Sequence, residues 1–187
     1  MGAEASSPEP PRGLAGVAAA ARQAPGRGLP PVHLWNPPHC GDIDIRIRRD
    51  GVWEHEGRPI AREALVRLFS TVLRLDPDGH HLVTPAEKLR IRVDDAPFLA
   101  VRVDRVGGAL RFRTNVGDEV EAGPDHALVV EAGEAGEPAP YLHVRRGLRA
   151  RLTRPVFYEL VEMAEERDGR PGVASNGAWF PLDGAAG

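Results

Sequence analysis

The chain has 187 residues, 42% of them hydrophobic, which suffices for one domain of ordinary size or two small ones with buried cores. Its 24 Lys and Arg nearly balance its 27 Asp and Glu, giving a net charge of -3, so composition excludes a generic polyanion binder and no nucleic-acid partner is expected. The single cysteine, Cys40, excludes an intramolecular disulfide and a cysteine-rich zinc ribbon, and a reducing cytoplasm is the expected location.

Residues 1–31 are rich in Ala, Gly and Pro and read as a disordered N-terminal tail. Within it, Leu14 to Ala21 is too short and lacks the basic flank of a signal peptide. No run approaches the roughly 20 apolar residues that cross a bilayer, so no membrane partner is expected.

From Ile43 the pattern becomes period 2: Ile43, Ile45 and Ile47 alternate with Asp44, Arg46 and Arg48, as in a strand with one buried face. Asp50-Gly51 supplies a hairpin turn and Val52 to Glu56 the returning strand. Pro59 suits the first turn of a helix, expected over Ala61 to Leu75, where Leu65, Leu68, Phe69, Val72 and Leu73 recur at three and four. Asp76-Pro77-Asp78-Gly79 stops that helix. Short strands are then expected at His81 to Val83, Leu89 to Val93, Phe98 to Val103 and Ala109 to Thr114, as an antiparallel meander or curved sheet. A turn at Gly117 to Glu119, a strand over Ala127 to Glu131 and a flexible connector over Ala132 to Pro140 follow.

Beyond the connector the first pattern returns. Leu142, Val144, Arg145 and Arg146 repeat the spacing of Ile45, Ile47, Arg48 and Arg49, and Arg154-Pro155-Val156 with Glu159 repeats Arg58-Pro59-Ile60 with Glu63. Each copy opens an amphipathic helix, the second with Val156, Phe157, Leu160, Val161 and Ala164 on its apolar stripe. The copies run from about Asp42 to Leu75 and from Tyr141 to Glu166. The expected fold class is therefore α+β: two lobes with a repeated strand-turn-strand-helix motif and curved antiparallel sheets, residues 32–104 forming the N-terminal lobe and 105–187 the C-terminal lobe.

No catalytic motif is present: there is no HExxH, GxSxG or GxGxxG. His39-Cys40 could serve a nucleophilic cysteine only with a base in reach, and neighbours on a strand point to opposite faces. His80-His81 after a turn reads as two exposed imidazoles, and Lys88, the sole lysine, as half of an exposed Glu-Lys pair. Asp94-Asp95 before Pro97 can hold a turn or, in a pocket, a ligand. Arg111, Arg113 and Asn115 alternate with Leu110, Phe112 and Thr114, so both arginines share a sheet face and, with Arg102 or Arg149, could bind an anion. Asp94, Asp95, Arg113 and Asn115 are the candidate ligand-binding residues. No catalytic residue, metal site or cofactor is expected.

With these residues laid out, WNPPHCGDIDIRIRRDGVWEHEGRPIAR, LVRLFSTVLRLDPDG, LVTPAEKLRI and VDDAPFLAV resemble a proteobacterial family catalogued as domain of unknown function 1285. FRTNVGDEV, RRGLRARLTRPVFYELV and GVASNGAWFPL continue the resemblance, which covers about Leu29 to Leu182. It implies a two-lobed fold with repeated motifs and a role in signal transduction, and it carries no active site to transfer. An aromatic residue usually stands in that family where His55 is, and a small hydroxyl residue, suited to helix capping, where Arg58 is. The first expectation for function is a non-enzymatic regulator that binds a small molecule or protein partner. The alternatives are a hydrolase-like enzyme with its site in the groove between lobes, and a protein-interaction scaffold.

Overall fold

A computed structural model describes residues 13–23, 28–133 and 135–184. The first element, α1 (Leu14–Gln23), lies inside the segment expected to be a disordered tail. Its Val17, Ala18 and Ala21 are buried, and it packs against α2 (Glu63–Thr71). A ten-residue alanine-rich helix is unstable alone, so that burial is what holds it. The rest of the expected tail, 1–12 and 24–27, lies outside the described residues.

A six-stranded sheet follows, built from β1 (His39–Ile47), β2 (Trp53–His55), β3 (Arg58–Pro59), β4 (Leu73–Asp76), β5 (Gly79–Val83) and β6 (Lys88–Val93) in the order β3-β2-β1-β6-β5-β4. A second sheet runs β10-β11-β12-β7-β8-β9 and comprises β7 (Phe98–Val106), β8 (Ala109–Thr114), β9 (Glu119–Glu121), β10 (Leu128–Ala132), β11 (Pro138–Arg145) and β12 (Leu148–Leu152). After α3 (Arg154–Glu162), the hairpins of β13 (Glu165–Arg167), β14 (Arg170–Ser175) and β15 (Ala178–Pro181) make a third sheet.

The architecture is thus mostly sheet with few helices, and the α+β expectation is corrected in that sense. Both expected helices are shorter than their apolar periodicity suggested. Leu73 and Leu75 lie in β4, which pairs antiparallel with β5, and Glu165 and Glu166 lie in β13. The second change has a local cause: Asp168-Gly169 takes positive φ at both residues, 54° and 74°, and closes the β13-β14 hairpin. The expected flexible connector is largely the turn between β10 and β11, with Ala132 opposite Pro138. The expected meander is split: β5-β6 and β7-β8 pair antiparallel but belong to different sheets, and the expectation of antiparallel sheets is corrected where β12 pairs parallel with β7.

Hairpin, helix and hairpin recur as β1-β2, α2, β4-β5 and as β11-β12, α3, β13-β14. The two Arg-Pro dipeptides are used differently. Pro155 sits in the first turn of α3, whereas Arg58-Pro59 forms β3 against Glu54 and His55, and α2 starts only after Arg62.

The chain divides into two compact units, residues 1–44 with 62–91, and residues 45–61 with 92–187. The division falls inside β1 and β6, and the expected lobe boundary at 104/105 falls inside β7. In the first unit Phe69, Val72, Leu73, Leu82 and Val83 are buried, and Arg74 ties the preceding segment down by donating from Nη1 to Val32 O (3.0 Å) and Trp35 O (2.7 Å). In the second unit Phe98, Leu110, Phe112, Leu142, Leu148, Leu160 and Val173 are buried. Buried Ser175 joins its third sheet to its second, accepting from Leu110 N (2.8 Å) and donating to Ala122 O (2.7 Å).

Candidate functional site

The polar face of β7, β8 and β9 lies within the second unit. Antiparallel register sets Asp104 opposite Arg111 and Arg102 opposite Arg113, then Arg111 opposite Glu121 and Arg113 opposite Glu119. Alternation on β8 sends Leu110, Phe112 and Thr114 into the core and leaves the two arginines outside. Arg102 grips Asp104 with both Nε (2.7 Å) and Nη2 (2.9 Å), Arg111 holds Glu121 (2.7 Å), and Arg113 holds Glu119 (2.9 Å). The hydrogen bond from Arg102 holds the Asp104 carboxyl below the usual carboxylate range, and the bond to Glu121 raises Arg111 further. Arg102, Asp104, Arg111 and Glu121 are therefore charged at neutral pH.

A concavity of about 440 Å³ opens on this face, lined by Arg102, Asp104, Arg105, Val106, Arg111, Phe112, Arg113 and Glu119. Four arginines and two acidic residues thus line it, and Arg105, set opposite core-facing Leu110 near the end of β7, has no ion-pair partner among the described residues. Arg113 and Glu119 are more than half exposed, and such a pair is cheap to rearrange. The volume lies in the range of small-molecule sites.

The other candidates have different tasks. Asp94 is the target of a two-pronged bond from Arg46 (2.8 and 2.9 Å). Asp95 is 10% exposed; it accepts from the Tyr141 hydroxyl (2.7 Å) and Arg151 Nη1 (2.5 Å), with Arg149 stacked 4.3 Å over the Tyr141 ring. Burial would raise the Asp95 carboxyl, but those two donors prevail and hold it below its usual value. Burial and the bond to Asp95 push the Tyr141 phenol up. Asn115 is a backbone clamp: its Oδ1 accepts from Leu99 N (2.9 Å) and its own N–H donates to Leu99 O (2.9 Å). Of the four, only Arg113 lines the concavity.

The N-terminal domain of the family described as domain of unknown function 1285 (DUF1285) matches residues 30–96, and its C-terminal domain, described as a protein of unknown function, matches 97–182. The chain belongs to the DUF1285 family. It is similar to a DUF1285 protein from Silicibacter pomeroyi DSS-3, whose crystal structure superposes with a TM-score of 0.83 at 50% identity, covering 89% of this chain and 94% of that one. A DUF1285 protein from Shewanella baltica OS155 is 28% identical, with a TM-score of 0.52 over 63% of this chain and 90% of that one. No curated protein matches. No helix among the described residues is long and apolar enough to cross a membrane.

The remaining chemistry of this DUF1285 chain is structural or lies in the first unit. Cys40 is exposed, and its thiol donates to Pro38 O (3.4 Å), while the His39 ring meets His81 edge-on. His143 accepts from Gly147 N (3.1 Å) through Nε2, so its Nδ1–H donates to Asp125 O (2.9 Å). Lys88 is not an exposed partner of Glu87: it donates to Asp76 (3.0 Å) beside Arg74, whose hydrogen bonds lead in bringing that carboxyl down to about 2. His81, expected at the surface, is fully buried. Sequence reasoning missed Arg105 and Glu119. The signal for Glu119 was the charge alternation beyond Arg113, which only strand register converts into a shared face, whereas Arg105 pairs with core-facing Leu110 and lies outside that alternation.

Proposed function

We propose that this protein is a non-enzymatic, cytoplasmic binding protein of a bacterial signal-transduction pathway, and that it takes a small anionic molecule on the β7-β8-β9 face. The observation that carries this reading is the concavity with four arginines, two carboxylates and an unpartnered Arg105. Guanidinium groups at fixed spacing suit the planar, bidentate demands of carboxylate and phosphate. Catalysis fits the same residues less well. A general acid or base works best with a pKa near the operating pH, whereas Asp94, Asp95 and Asp104 are all held low by arginine or tyrosine donors.

The test is a thermal-shift series with phosphate, pyrophosphate, mononucleotides and dicarboxylates on wild type, Arg105→Ala and Arg113→Ala. At least one anion is expected to raise the wild-type Tm with saturation, and both substitutions to abolish the rise. A flat response of wild type to every anion, or a rise untouched by the substitutions, would sink the proposal.

A further inference from the structure

The first unit holds a second cluster that plays no part in this reading. Asp76, Asp78 and His81 converge at the β4-β5 turn, with one donor atom of each within 4.8 Å of the others. Asp76 is already committed, since Arg74 and Lys88 together bind both of its oxygens. Asp78 and His81 are different. His81 is fully buried, and its Nδ1 lies 3.0 Å from Gly79 O. A carbonyl oxygen can only accept, so Nδ1 carries a proton and, in the neutral ring, Nε2 holds the lone pair. A backbone carbonyl behind one ring nitrogen is also the usual outer support of a metal-ligating histidine.

Nε2 is buried without a hydrogen-bond partner and faces Asp78 Oδ2 at 3.4 Å. A ring lone pair and a carboxylate oxygen at this spacing leave room for a cation between them, and Asp78, half exposed, opens that position to solvent. The spacing indicates which kind. With Zn–N and Zn–O bonds of about 2.0–2.2 Å, a tetrahedral angle separates N from O by roughly 3.3–3.5 Å. His39, whose side chain is 42% exposed, meets the His81 ring edge-on with centroids 5.9 Å apart. No His39 nitrogen is among the converging donor atoms, so its side chain has to turn at the start of β1 to supply a second imidazole.

We propose that His81 Nε2, Asp78 and His39 bind one divalent transition-metal ion of the zinc class, with water completing the coordination. An imidazole-rich set excludes calcium and magnesium, which take oxygen ligands. Arg74 and Lys88 lower the affinity by repulsion, an effect that Asp76 between them offsets. The ion would tie the start of β1 to the β4-β5 turn.

Tag-free full-length protein, stripped with a chelator and dialysed, is titrated calorimetrically with Zn²⁺, and Co²⁺ is followed by visible absorption. The expected result is one equivalent bound, an intense tetrahedral Co²⁺ spectrum, and affinity at least tenfold weaker in Asp78→Asn and in His39→Ala. His126→Ala, in the other unit, should bind like wild type. Absence of one-equivalent binding by wild type overturns the proposal, as does unchanged affinity in Asp78→Asn or in His39→Ala. Asp78 is half exposed, so its substitution tests the site without the folding risk of replacing buried His81.

Discussion

At the scale of the residue, the interior of the second unit shows most clearly what one polar group does. Asp95 is nearly buried between the Tyr141 hydroxyl and Arg151, 46 and 56 residues away in sequence. Its removal leaves a buried phenol and guanidinium without their acceptor. Asp95→Ala is therefore expected to lower unfolding free energy by about 1–3 kcal/mol in a urea titration. The sign of its pH dependence follows from a folded-state pKa below the unfolded value of about 3.9. The stabilisation is fully present above pH 3.9 and is lost as pH falls through the folded value. Asp95→Asn should flatten that acid limb, and a limb as steep as that of wild type would show that the pairing contributes nothing. In the sequence, Asp94-Asp95 before Pro97 fits either a turn or a ligand pocket. Which partners they met was hidden, because those partners come from separate strands.

At the scale of the element, two turns decide how the hairpins are held. Gly51 has φ +78°, and a Cβ there would lie 2.8 Å from Leu99 Cδ1 and 2.9 Å from Asn115 Nδ2. Gly51→Ala adds a left-handed strain to that clash and should destabilise by roughly 1–3 kcal/mol, visible as a lower Tm. A loss under half of that would mean that the Asn115 clamp yields. The start of α2 offers the opposite test. Its N-cap is Arg62, extended at φ -85° and without a side-chain cap, and Arg58 is four residues too early because it lies in β3. Arg62→Ser should raise stability by roughly 0.5–1 kcal/mol, and Arg58→Ser should not. The reverse ranking would contradict the position of the helix start. Pro59 was misread because proline fits a helix start and an edge strand equally, and only pairing with β2 distinguishes them. Asp168-Gly169 was a legible hairpin signal, outweighed by the apolar stripe leading up to it.

At the scale of the whole molecule, the repeat was legible because turns and apolar spacing are local. Sheet order and the parallel β12-β7 pair were not, since they depend on contacts distant in sequence. The same limit explains the site. Shared orientation of Arg111 and Arg113 could be read from alternation on one strand, but Glu119 joined them only through register, and Arg105 borders the concavity from the opposite parity of β7. Because the face is exposed and charged, binding there should weaken steeply with ionic strength. The most direct measurement is calorimetric titration of wild type and the double charge reversal Arg105→Glu/Arg113→Glu with the anion giving the largest thermal shift, at 50 and 300 mM salt. Wild type is expected to bind one-to-one, several-fold more weakly at the higher salt, and the double variant not at all. Equal affinity in the two proteins would contradict anion binding on this face.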